Sequence, residues 1–130
     1  MLNIYVSLRC MGLTYNKMIL KRDKIVEDYK AQHKNYQAEI NVIDSLFPEY
    51  VPGESNPIEF LGKSIEKMKN ADVVLIPVDY RKSKGCYIEE EVARIYGLPI
   101  NSYLYTEDKS YFMDNFVEMF YNETGGDYVK

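Results

Sequence analysis

Residues 73–77, Val-Val-Leu-Ile-Pro, form an unbroken apolar run with no polar alternation. A run of that length bounded by turn residues reads as a central parallel strand buried on both faces. Such a strand needs helices on either side, so this one feature directs the chain toward an α/β architecture. The flanking segments agree. Residues 2–6 are β-branched and aromatic enough for a second buried strand, and residues 39–43 suit a third. Thr14 can cap a helix over 15–31, where Tyr15, Met18, Ile19, Ile25, Val26 and Tyr29 recur at helical spacing. Residues 44–55, with Pro48, Pro52 and Gly53, read as an irregular loop. A helix follows, with Asn56 as N-cap, Pro57 in its first position, Glu59 as capping partner and Ile58, Leu61, Ile65 and Met68 as its stripe. The run Asn70-Ala-Asp72 ends it.

Beyond the apolar run, a polar stretch over 79–85 leads into a helix over 85–96, Gly97 suits its C-terminal cap, and residues 99–105 return to strand. Residues 110–121 are expected to form a last helix carrying Phe112, Phe116, Val117 and Phe120 on one face. The alternation β-α-β-α-β-α-β-α predicts one flavodoxin-like or Rossmann-like three-layer domain over residues 1–130, with a small parallel sheet of about four or five strands. In the strand order 2-1-3-4 the chain reverses between the first and third strands. Ligands are then expected outside the carboxyl ends of those two, at loops 7–13 and 78–85.

A chain of 130 residues fits one globular domain with a real core and is too short for two domains. With 16 Lys and Arg against 20 Asp and Glu, it has no sequence-wide basic surface for a nucleic acid polymer, so any phosphate must be held locally. Cys10 and Cys86 lack the spacing of a disulfide framework or a zinc site, and the reducing cytoplasm is the expected compartment. The opening residues lack a signal-peptide pattern and no apolar run reaches membrane-spanning length, so neither secretion nor a membrane partner is expected. The Asn122-Glu-Thr sequon is accordingly uninformative.

Phosphate-loop, dinucleotide, GxSxG and HExxH motifs are absent, and the single histidine, His33, falls at a polar helix end. Carboxylates remain as the best catalytic candidates. Glu89, Glu90 and Glu91 open the third helix, where acids ordinarily complement the macrodipole. At about 100° per residue, Ile88, Val92, Ile95 and Tyr96 mark the apolar arc. Glu89 falls between Tyr96 and Ala93, while Glu90, Glu91 and Arg94 face away. Glu89 alone is expected to point inward, where a carboxylate is costly unless hydrogen-bonded or used. Asp72 reads on spacing as a turn residue. Ser83 and Gly85 suit either an anion at the helix N-terminus or ordinary capping, and Ser7 and Arg9 leave the first strand into the same crevice.

The run Asn70-Ala-Asp-Val-Val-Leu-Ile-Pro-Val, followed by Ser83-Lys-Gly-Cys-Tyr-Ile-Glu-Glu-Glu-Val-Ala-Arg-Ile-Tyr-Gly-Leu-Pro-Ile, resembles the nucleoside 2-deoxyribosyltransferase superfamily. The opening Ile4-Tyr-Val-Ser-Leu with Gly12 is similar to a branch of small bacterial and phage proteins within it. The resemblance covers residues 1–105, and its specific part is the block from the third strand through the third helix. It implies that Glu89 is a nucleophile forming an ester with the sugar C1′, that Tyr5 orients it, and that Asp72 lies near the sugar and the leaving base. It also implies subunits that complete one another's sites. Where the transferases carry an aspartate six residues before the nucleophile, this chain has Ser83, similar to the deoxynucleoside 5′-monophosphate N-hydrolases, in which serine contacts phosphate. Ser7-Leu-Arg9 resembles their phosphate-side Ser-x-Arg, and Glu91 departs from the glycine many members have.

The expected function is cleavage or transfer at the N-glycosidic bond of a 2′-deoxynucleoside or its 5′-monophosphate. Glu89 traps the oxocarbenium-like sugar, Asp72 is the candidate acid for the leaving base, and Ser7, Arg9, Gly12, Ser83 and Gly85 bind substrate. No metal or cofactor is called for. The alternatives are a noncatalytic nucleotide or nucleotide-signal binder and, from the 13 tyrosines, an interaction protein. A homo-oligomer is expected from the small core and the aromatic face at Phe112, Phe116 and Phe120.

Overall fold

The computed structural model describes residues 1–10, 12–33 and 39–113. Its elements in chain order are β1 (Leu2–Val6), α1 (Tyr15–Gln32), β2 (Ile40–Val42), α2 (Pro57–Lys67), β3 (Val73–Pro77), α3 (Lys84–Ile95), β4 (Ile100–Tyr105) and β5 (Ser110–Met113). Short 3₁₀ turns occupy Met68–Asn70 and Tyr80–Lys82. They build one sheet in the order β2-β1-β3-β4-β5, with the first four strands parallel and β5 antiparallel to β4.

The helices begin where side chains can replace the missing backbone acceptors. Thr14 Oγ1 accepts from Lys17 N at 3.2 Å, and Asn56 Oδ1 accepts from Ile58 N at 2.9 Å with Pro57 in the first turn. Gly97, at φ +71°, supplies the left-handed residue that turns the chain from α3 into β4.

β3 is buried along its whole length, as its apolar run predicts. Its register pairs Ile4 with Val73 and Val6 with Leu75, so alternate side chains build two cores. Ile4, Val6, Val73, Leu75 and Tyr103 meet Ile25, Val26 and Tyr29 of α1 on one face. Tyr5, Val74 and Ile76 meet Met68, Cys86 and Ala93 on the other. The result is the three-layer α/β sandwich, with the switch point between β1 and β3.

Two expectations are corrected. Residues 110–113 are strand, not the start of a helix. Thr106 closes a tight turn, its N–H donating to Lys109 O at 3.1 Å and its Oγ1 accepting from Lys109 N at 3.0 Å, and the chain doubles back on β4. α1 then fixes β5: Ser110 N donates to Asp28 Oδ2 at 2.8 Å, and the Phe112 ring meets Tyr29 edge-on at 5.2 Å. Phe116, Val117 and Phe120, assigned to that helix, lie outside the described residues.

The second correction concerns α3. Ile95 and Tyr96, placed on its apolar arc, are 64% and 78% exposed, whereas Glu90, assigned to solvent, is 2% exposed. Its buried residues are Cys86, Glu89, Glu90 and Ala93. The helix is rotated so that its small residues sit close on the sheet, which Cys86 and Ala93 permit and an isoleucine contact would not. On α2 the expected stripe departs only at Ile58, which is 80% exposed, while Leu61 and Ile65 are half-buried and Met68, just past the helix, is buried.

Candidate active site

In a sheet of this order ligands enter outside the carboxyl ends of β1 and β3, and that end, the crevice, is built from three pieces: the chain after β1, the chain after β3, and the first turns of α3. Ser7 continues β1, its N–H donating to Leu75 O at 2.9 Å. Arg9 follows, and Gly12, at φ +77°, takes a left-handed conformation that L side chains rarely adopt, in a turn closed by Leu13 N to Cys10 O at 3.0 Å. Ser83 caps α3 through Oγ, which accepts from Cys86 N at 3.4 Å, and this brings Glu89 under the crevice two turns on.

Glu89 is held at both carboxylate oxygens. The Tyr5 hydroxyl donates to Oε2, and Ser7 Oγ donates to Oε1 at 2.9 Å. All three residues are buried. Burial pushes the Glu89 carboxyl up to about 7, and the bonds from Tyr5 and Ser7 oppose that rise. The Tyr5 hydroxyl is raised well above its ordinary value, first by burial and then by the Glu89 charge, so it stays a donor. Tyr103 fixes the backbone beneath, its hydroxyl donating to Ser7 O at 2.7 Å. A carboxylate held at both oxygens beside a crevice is oriented, partly shielded from water and able to ionise near neutral pH. These are the properties of a nucleophile or a charge stabiliser.

The thiols do not compete for that role. Burial pushes Cys10 up to about 12 and Cys86 up to about 11, with the Glu89 charge adding to both, so neither is a thiolate at neutral pH. At the mouth of the crevice Arg9 Nη1 meets Asp79 Oδ2 at 2.5 Å, joining the loop after β1 to the loop after β3.

The structure thus brings Tyr5, Ser7, Arg9 and Glu89 to one end of the sheet, with Ser83 at the head of α3. It does not bring Asp72 there. Asp72 precedes β3, its Oδ2 accepts from Asn3 N at 2.7 Å, and its side chain belongs to the amino end of the sheet. Ser7 lies four residues further along the neighbouring strand, about 13 Å away at strand rise. Asp72 is therefore a turn residue and not an acid beside Glu89. Gly85 is spacious rather than required: a Cβ there would come no nearer than 4.0 Å to Leu61 of α2.

Two crevice residues were not picked out from the sequence. Asp79 is the first charged residue after β3, and its signal is position, since the carboxyl end of a central strand is where ligands bind. Tyr103 reads as an ordinary strand aromatic, and only its register opposite Pro77 brings its hydroxyl to Ser7. Elsewhere an open cavity of about 700 Å³ lies between the edge strand β2 and α2, lined by Asn3, Asn41, Phe47, Lys63 and Lys67 among others. It is lined by neither Glu89 nor any other crevice residue. No helix among the described residues is long and apolar enough to cross a membrane.

Comparison of the chain with protein-family models, curated proteins and solved structures gives no match.

Proposed function

We propose that the crevice accepts a 2′-deoxynucleoside or its 5′-monophosphate and that Glu89 attacks the sugar C1′, cleaving the N-glycosidic bond or transferring the sugar. The observation that carries this reading is the doubly held, buried Glu89 carboxylate at the carboxyl end of the sheet. Breaking an N-glycosidic bond leaves an oxocarbenium-like sugar, and an ionised carboxylate fixed at both oxygens traps it with little reorganisation. The ester forms as the bond to the base breaks. Water or an acceptor base then releases the sugar and restores the carboxylate. Tyr5 and Ser7 keep the carboxylate aimed, and Arg9 with Ser83 would receive a 5′-phosphate.

The resemblance over residues 1–105 supports the substrate class. Free thiols at Cys10 and Cys86 suit a reducing cytoplasm. The exposed Ile58, Ile88, Ile95 and Tyr96 on and beside α2 and α3 suit a homo-oligomer through that face. The test is incubation with a panel of deoxynucleosides and their monophosphates, with and without acceptor base, followed by chromatographic detection of free base. Base release that disappears in Glu89→Gln supports the reading, and no release from any member of the panel sinks it.

The second reading, a noncatalytic binder of a nucleotide or nucleotide signal, is favoured by one observation: the expected acid, Asp72, lies at the far end of the sheet. Saturable binding of a monophosphate without base release would select it.

A further inference from the structure

We propose that Asp79 gates the crevice toward anionic ligands: it holds Arg9 across the mouth, and a ligand gains Arg9 only by bringing an anion that displaces the Asp79 carboxylate. The proposal rests on the reading of this crevice as the ligand site.

Asp79 stands at the start of the 3₁₀ turn Tyr80–Lys82, where an aspartate would ordinarily cap with its side chain. It makes no such bond, and only its carbonyl serves the turn, accepting from Lys82 N at 2.9 Å. The carboxylate instead spans the crevice to Arg9 Nη1 at 2.5 Å. Arg9 is anchored from behind, its carbonyl accepting from Lys21 Nζ at 3.4 Å while that ammonium also lies over the Tyr105 ring. The Arg9 carbonyl is thus contacted from α1 while its guanidinium is committed to a neighbouring loop.

The pair is exchangeable. Its side chains are 36% and 38% exposed, and ion pairs in such settings contribute little to stability. A phosphate monoester offers Arg9 a bidentate partner carrying up to two charges, which a single carboxylate oxygen does not match. Asp79 also opposes an arriving anion directly. Its charge is among the influences raising the Cys86 thiol and the Tyr103 hydroxyl, so its field reaches the crevice floor. Removing that charge while keeping the shape frees Arg9 and removes the repulsion together. A ligand without an anion gains nothing from either change.

The experiment uses probes that have no glycosidic bond to break: inorganic phosphate, 2-deoxyribose 5-phosphate and unphosphorylated 2-deoxyribose. Each is titrated by calorimetry or NMR into the parent, Asp79→Asn, Asp79→Ala and the double variant Asp79→Asn with Arg9→Gln. The two phosphates are expected to bind about three- to tenfold tighter to both Asp79 variants, with deoxyribose unchanged and the gain abolished in the double variant. Unchanged or weaker phosphate binding in folded Asp79 variants overturns the gate. So does a gain that survives loss of Arg9, since general charge removal would then explain it. Base release from nucleotides is scored separately: its absence defeats the proposed glycosidic chemistry and leaves the phosphate result standing.

Discussion

Glu89 carries a conflict between stability and use. Its carboxyl titrates near 7 in the folded protein against an ordinary 4.5, chiefly because burial penalises the charge. The folded chain therefore holds that proton longer than the unfolded chain. The group costs nothing below about pH 4.5, and stability falls as pH rises from there through about 7, by about 3 kcal/mol in all. Glu89→Gln is expected to melt with the parent near pH 4 and above it near pH 8, measured by circular dichroism. Catalysis runs the other way. A nucleophile must be ionised, so parent kcat/KM should rise through about pH 7, and Glu89→Gln should lose about a thousandfold or more, read from base release. A parent rate independent of pH between about 5 and 8 would remove Glu89 from the chemistry. At this scale the sequence was legible where helical angle decided, since Glu89 does point inward. Asp72 belongs to the amino end because it precedes β3, a position that its spacing alone already indicates and the family motif does not. Glu90 is buried against expectation because the small residues of α3, and not its large apolar ones, face the sheet.

At the scale of elements, the strands were easier to read than the helix faces. β3 buries both sides and must be apolar throughout, so composition alone locates it. A helix against a sheet is decided by how close it can approach, and α3 puts Ala93 and Cys86 inward at 0% and 1% exposure while Ile95 stays out. Enlarging the inward side should be felt: Ala93→Leu is expected to destabilise by about 1–3 kcal/mol through overpacking, read from denaturant midpoints. Ile95→Ser should change the stability of the isolated chain by about 0.5 kcal/mol or less. If the order of these costs is reversed, α3 sits on the sheet by its isoleucine face instead. Over β5 the sequence points to helix, since Phe112, Phe116 and Phe120 repeat every four residues, a spacing that also satisfies strand alternation. The decisive signal, the turn made by Thr106 and Lys109, depends on a side chain closing a hairpin and leaves no hydrophobic pattern.

For the whole molecule, the parallel sheet order followed from the alternation of elements, but the outer surface did not. Ile58 on α2, Ile88 and Ile95 on α3 and Tyr96 at its end leave large apolar side chains in water, while α1 on the other face buries Ile25, Val26 and Tyr29 and exposes Leu20. Scattered single apolar residues are ordinary on any surface, and several on two neighbouring helices are the kind of surface a second molecule can cover. Beside Ile95, Arg94 lies 2.7 Å from Glu91 and 3.4 Å from Glu90, so its charge is shared between two carboxylates within the chain. A twofold arrangement is expected, since a patch that meets itself closes and needs no second surface. Light scattering at micromolar concentration should then give twice the chain mass, and Ile95→Glu with Tyr96→Ser should return the monomer with its circular dichroism unchanged. The same double variant separates two roles for the face. If base release persists in the monomer, the crevice is complete within one chain. If it falls while the Glu89 titration near pH 7 is retained, the partner supplies part of the site. A parent that is monomeric at those concentrations would leave the patch without this occupant and defeat the expectation.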